Sequence, residues 1–171
     1  MEPIEWLQLT VPGFDDLSED ERAAIRDFAM LWSLFEGSVL GAQGNAGALV
    51  AITDGLHERG AVNLATLDAA VAHFRGRYYA NGGFTIAFDQ HLHFRNNDHR
   101  PLAEAFVSGA TNDPPEMLKG LLIIVYRLRN NLFHGVKWTY RIQGQLENFR
   151  HANAILMATM HMAITSGLLQ W

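Results

Sequence analysis

An all-α helical bundle, interrupted by an irregular and partly extended insert around 79–113, is the fold class this sequence predicts. Three observations predict it. Two helix starts are written out in full, Ser18-Glu-Asp-Glu21 and Asp113-Pro-Pro-Glu116, each with an N-cap residue and a glutamate three positions on. Apolar side chains recur at intervals of three and four residues across most of the chain, the period of a helix with one face in a core. The 171 residues are 49% hydrophobic, which is enough for one proper core. Residues 1–171 are therefore read as a single domain, without repeats, heptads or low-complexity tracts.

The first long helix opens at the capping box of Ser18 and runs to about Val39, with Ile25, Phe28, Ala29, Trp32, Phe35 and Val39 as its apolar stripe. At 100° per residue Glu36 falls in the middle of that stripe. A carboxylate facing a core needs a partner or a raised pKa, so Glu36 is expected to meet Arg127 or Arg129, the alternative being that it bends out to solvent near the helix end. Gly41–Gly47 reads as a loop, followed by a small-residue helix to about Arg59. Asn63 is expected to cap a further helix to about Arg77, with Leu64, Leu67, Val71 and Phe74 inward. From Tyr79 to Asp113 the pattern breaks: Gly82-Gly83 begins an irregular stretch, and Phe84, Ile86 and Phe88 alternate as an extended segment does. A brief helix around Leu102–Val107 follows. Asp113, the prolines and Glu116 then start a helix that buries Met117, Leu121, Ile124, Val125, Leu128 and Leu132 and ends at His134-Gly135. The last helix begins near Gln145 and is apolar nearly all round from Ala154 to Ile164, which places it in the middle of the bundle or in a subunit interface.

Composition narrows the function classes. There is no cysteine, which excludes disulfides, thiolate zinc sites and a cysteine nucleophile together. No apolar run reaches transmembrane length, and Met1-Glu-Pro-Ile-Glu lacks the basic start and apolar stretch of a signal peptide, so a cytoplasmic location is expected. The net charge of −5 is unevenly spread. Residues 1–116 hold 7 basic and 17 acidic side chains, a balance of −10, whereas 117–171 hold 6 and 1, a balance of +5. Arg127, Arg129, Lys137, Arg141 and Arg150 cluster there with only Glu147. Such a patch can concentrate a polyanion; equally, the basic third can pair with the acidic remainder inside the fold.

The densest stretch of chemistry is Tyr126-Arg-Leu-Arg129-Asn130-Asn-Leu-Phe-His134-Gly135. An arginine and a histidine five positions apart form a minimal kit for breaking an RNA phosphodiester. Imidazole takes or gives a proton near neutral pH, and guanidinium holds phosphate oxygens in two-point contact. The stretch resembles the Arg-x(4–6)-His signature of HEPN domains, small all-helical proteins of which many are metal-independent ribonucleases. A polar residue directly after the arginine, here Asn130, is the commonest form in that family, and the likeness reaches the early helix Phe28–Val39 with its Trp32…Phe35-Glu36 run. About a third of the chain is covered closely.

The resemblance implies a homodimeric endoribonuclease in which two motifs face each other across a two-fold cleft and build a composite site. Arg129 and His134 would be catalytic, with Asn130, Glu36, Arg127, Lys137 and Arg141 supporting them or binding RNA. The nucleophile belongs to the RNA, so the products would be a 2′,3′-cyclic phosphate and a 5′-hydroxyl, with no metal or other cofactor. A toxin or phage-defence effector is the implied role, with an antitoxin or regulatory protein as a further partner. One imidazole cannot be both acid and base at once, which argues for a dimer on physical grounds. So does helix geometry: Arg129 and His134 stand 140° apart on an ideal helix, so either the helix distorts before Gly135 or the two act across subunits. The toxin subgroup paired with nucleotidyltransferase antitoxins carries a tyrosine two residues after the histidine. Here that residue is Val136 and the nearest downstream tyrosine is Tyr140, so silencing by modification at that place is doubtful.

Other readings stay open beside this one. Arg129 and His134 can simply complement the negative end of the helix dipole, with Gly135 as C-cap, in a helical scaffold. The fold can also serve as an RNA- or nucleotide-binding or protein-interaction module with little catalysis. His91-x-His93 with His99 and Asp89 has donors that suit zinc or manganese, but no second conventional spacing supports a site, and no metal is expected. His151 and His161 on the last helix are read as ordinary satisfied histidines. The glycines of 41–47 lack the lysine of a nucleotide loop.

Overall fold

The centre of the molecule is a helix of twenty residues, Pro114–Phe133, of which thirteen are buried. In the computed structural model, which describes residues 1–134 and 144–170, it is the seventh of eight described helices. These are α1 (Pro3–Thr10), α2 (Glu19–Ser38), α3 (Ala46–Glu58), α4 (Asp68–Tyr78), α5 (Ile86–Asp89), α6 (Arg100–Val107), α7 (Pro114–Phe133) and α8 (Leu146–Thr165). A two-residue antiparallel hairpin, β1 (Tyr79–Ala80) and β2 (Gly83–Phe84), follows α4. The protein is all-α with an irregular insert, as the sequence predicts.

α7 packs against α6 on one side, α3 on another and α8 on a third. Leu118, Leu121, Leu122, Ile123, Ile124, Val125 and Leu128 have no exposed surface, so apolar side chains leave this helix in every direction. Each such burial contributes about 1.5–3 kcal/mol of transfer free energy. The middle of the bundle, one of the two places expected for the last helix, therefore belongs to α7. α8 buries one side against α2 and α4 and keeps an outer edge on which Met157 and Ile164 are exposed. The reason is packing: α3, α6 and α8 all close on α7, whereas α8 lies chiefly against α2 and α4.

Gly120 sets how closely α6 approaches. A Cβ there would collide with the Cβ of Phe106 and stand 2.8 Å from the Leu102 carbonyl oxygen, so only glycine lets the two helices meet. Arg75 of α4 ties off the connection between them, its guanidinium donating to the Phe106 and Thr111 carbonyls, each at 3.0 Å.

Three local expectations change. The capping box of Ser18 forms as written, with the Glu21 amide donating to Ser18 Oγ at 3.2 Å and the Ser18 amide to Glu21 at 3.0 Å. At Asp113 the N-cap makes no side-chain bond, and Glu116 instead accepts from Lys119 at 2.7 Å, a partner one turn away that a cation reaches more favourably. Asn63 caps a turn rather than a helix: its Oδ1 accepts from the Ala65 amide at 2.9 Å, and α4 begins only at Asp68. Of the alternating trio only Phe84 is extended. Asn81 and Gly82, both at positive φ, close the hairpin tightly, and Thr85 then caps a single helical turn that carries Ile86 and Phe88.

Candidate active site

The motif helix carries two arginines two residues apart, and the fold sends them to opposite places. Arg127 is inside, with 2% of its surface exposed. Its guanidinium forms an ion pair with Asp98 at 2.7 Å, donates to the Leu92 carbonyl at 2.9 Å and reaches the His93 carbonyl as well. Burial pulls its pKa down, and Asp98 opposes that by favouring the charged form. Asn131, one turn on and also buried, donates to the His91 carbonyl at 2.9 Å. Together they grip the loop of residues 90–99 from below. Of the two roles expected of Arg127, direct RNA contact does not fit a guanidinium with no open face, which leaves the supporting one.

Arg129 points the other way, towards α2. Its Nη2 lies 3.2 Å from Glu36, and its Nη1 donates to Asn130 Oδ1 at 3.0 Å. The guanidinium sits between two rings, 5.6 Å from the centroid of Trp32 and 5.3 Å from that of Phe133, where the ring quadrupoles favour a cation. Glu36 also accepts from the Trp32 indole, and a Cβ on Gly44 would run into its carboxylate, so the loop after α2 closes directly over it. The pair expected for Glu36 thus forms with Arg129, and the other candidate, Arg127, has its own partner in Asp98. About a quarter of each side chain of the Arg129–Glu36 pair remains open to solvent. Arg129 Nε is buried without a hydrogen-bond partner. Asn130, itself buried, spends its carbonyl oxygen on Arg129.

His134 is the C-cap of α7 and is exposed. Its amide donates to the Asn130 carbonyl at 3.0 Å, and its backbone (φ −89°, ψ 11°) barely leaves the helical path. The helix does not distort to close the 140° between Arg129 and His134, and no hydrogen bond or ring contact joins them among the described residues. Lys137 and Arg141 lie outside the described residues, as does Gly135.

The surplus of positive charge after residue 116 resolves into pairs wherever it is described. Lys119 meets Asp54 and Glu116, Arg127 meets Asp98, Arg129 meets Glu36, and Arg150 meets Asp20 and Glu147. Pairing with the acidic part of the chain is what these four do.

Of the remaining histidines, His91, His93 and His99 are all exposed on the loop, the latter two in the left-handed region at φ +52° and +51°. Asp89 is engaged by Arg100 at 2.6 Å, and no group of three or more metal-binding side chains occurs among the described residues. His151 is not solitary: its ring lies 4.6 Å from that of His73, which meets Asn148 Oδ1 at 2.8 Å. Burial, together with His73, pulls the His151 pKa below the usual imidazole value, and Glu147 pulls weakly the other way. Among the described residues no helix is long and apolar enough to cross a membrane.

Sequence reasoning missed Asp98, Asn131, Phe133 and Gly44. Asp98 had a legible signal, because Arg95-Asn-Asn-Asp98 is a turn-forming phrase and the Arg95 amide does donate to the Asp98 carboxylate at 2.6 Å. Fold and site define an all-α protein with an arginine–histidine motif on the last turn of its central helix. No family model, curated protein or solved structure matches the chain.

Proposed function

We propose that the chain is a metal-independent endoribonuclease of the HEPN kind, active as a homodimer, and a toxin or phage-defence effector of the cytoplasm. The observation that carries this reading is Arg129. It is a guanidinium positioned by Trp32, Phe133, Glu36 and Asn130 yet left partly open, five residues from an exposed histidine at the end of the same helix. In the reaction, an imidazole takes the proton of the RNA 2′-hydroxyl, whose oxygen attacks the adjacent phosphorus. Arg129 stabilises the charge gathering on the phosphorane oxygens, and a second imidazole protonates the departing 5′-oxygen. The products are a 2′,3′-cyclic phosphate and a 5′-hydroxyl. The chain offers one motif histidine per copy, on the other side of the helix from Arg129, so a second copy completes the acid–base pair. Lys137 and Arg141 are assigned to the RNA strand in this reading, and an antitoxin or regulatory protein would restrain the enzyme.

The test is cleavage of end-labelled tRNA and mRNA in excess EDTA. Wild type should cut and leave cyclic-phosphate ends, and His134→Ala and Arg129→Ala should each lose about 10²–10⁴-fold in rate. An unaffected His134→Ala rate, or loss of cutting in EDTA, overturns the proposal. One observation favours a second reading, an RNA- or nucleotide-binding or protein-interaction module with little catalysis: Glu36 already sits on the guanidinium that would clamp phosphate. RNA binding without cleavage by wild type would select it.

A further inference from the structure

The loop of residues 90–99 is built in an unusual way, with its adhesive groups inside and its recognition groups outside. Leu92 and Asp98 are buried. Arg127 and Asn131 spend their donors on the backbone of residues 91–93 and on Asp98, and the Arg95 amide closes the turn onto the same carboxylate. Asp98 is the one carboxylate between residues 90 and 99, and Arg127 neutralises it internally. What remains on the outside is His91, His93, Arg95, Asn96, Asn97 and His99, all exposed. Arg95 enters no ion pair among the described residues. At the base of the loop Asp89 and Glu104 both lie on Arg100, 2.6 and 2.7 Å away.

The placement of this surface is set by α7. Arg127, Asn131 and His134 fall within about 60° of one another around the helix, whereas Arg129 lies on the other side. The residues that hold the loop, Asn131 and Arg127, are thus about one and two turns below the candidate acid–base residue and on the same flank. Two non-glycine residues, His93 and His99, are kept in the left-handed region, a conformation that persists where surrounding bonds over-determine it.

We propose that the 90–99 loop is the docking surface for a single-stranded RNA, with Arg95 on a phosphate and the exposed histidine and asparagine side chains against unpaired bases. This deepens the ribonuclease reading and rests on it for the identity of the ligand. The chemistry favours a nucleic-acid strand because the outward groups are cationic, amide or imidazole. A guanidinium suits phosphate, and planar imidazole and amide groups suit bases that are not already paired. The preformed loop meets the strand without rearrangement.

The experiment is a binding titration of a short fluorescein-labelled single-stranded RNA by anisotropy, in EDTA, on a His134→Ala parent that cannot cleave it. Arg95→Ala should weaken binding about 3-fold and make the dependence of log K on log salt shallower by about 0.7, one phosphate contact. Arg95→Glu should weaken it about 10-fold or more, and Arg26→Glu, the same charge change on the outer face of α2, should have little effect. The proposal is overturned if Arg95→Glu binds like the parent, or falls no further than Arg26→Glu. That outcome leaves the ribonuclease reading standing if wild type cleaves. A wild type that neither binds nor cleaves the RNA sinks both.

Discussion

Arg127 and Arg129 are the same residue type on the same helix, and almost nothing else about them is alike. Arg127 lies in the interior, matched one to one with a buried carboxylate and two backbone carbonyls. Arg129 lies at an opening, matched with a partly exposed carboxylate and two aromatic faces, with one donor unused. A buried charge that is fully partnered acts as a rivet, and its loss is felt by the fold. A partly open charge with capacity to spare is worth little to the fold and can be lent to a ligand. One helix thus carries an enclosed, fully partnered cation on one flank and a partly open one on the other.

The comparison breaks most visibly by truncation. Arg127→Ala leaves Asp98 buried without its cation, and should cost about 3–5 kcal/mol in urea-induced unfolding. Arg129→Ala should cost less than about 1 kcal/mol, because the Arg129–Glu36 pair is partly solvent-screened. Equal costs would show that the two flanks are not distinct. Asn131→Ala comes next, at about 1–3 kcal/mol, since the His91 carbonyl loses its donor. Hydrogen exchange should then speed up selectively around the 90–99 loop. Glu36→Gln should change stability by less than about 1 kcal/mol while altering the cleavage rate, because it releases Arg129 from its carboxylate. An unchanged rate would remove Glu36 from the site.

The smallest effect belongs to neither flank and serves as a reference. The His151 pKa lies below 6.5 in the fold. As pH falls through about 6.5 the unfolded chain takes up the proton first, so stability drops until the lower folded value is reached and then levels off. His151→Gln should flatten the fall in stability that sets in as pH drops through about 6.5, read as the shift in urea midpoint. A curve of unchanged slope would assign the acid sensitivity elsewhere.

What could be read from the sequence follows physical locality. The Ser18 capping box is a contact within one turn, and it forms as written. Glu36 finding Arg129, 93 residues away, was legible for another reason: a carboxylate in an apolar stripe announces that a cation must come to it. Which of two candidate cations came was not legible, because that depends on Asp98 claiming Arg127 from a loop without periodicity. The exchange of roles between α7 and α8 was hidden likewise. Both helices are rich in apolar residues, and only packing against α3 and α6 decides which is enclosed. At Phe84, Ile86 and Phe88 a period of two was read from three residues, too few to outweigh the helix-starting bond of Thr85. Residues 135–143, where Lys137 and Arg141 fall, lie outside the comparison.

The notch at Gly120 has a consequence beyond packing. It presses α6 onto α7, and α6 begins at Arg100, directly after the 90–99 loop, while Arg127 grips that loop from the same α7. The span is thus fastened twice to one rigid rod, like a bridge deck anchored at both abutments. A tethered span of this kind has surrendered its freedom during folding, so whatever lands on it meets a surface with little left to lose. A bulkier residue at position 120 would slacken the far abutment, and the loop would loosen without any of its own residues being touched.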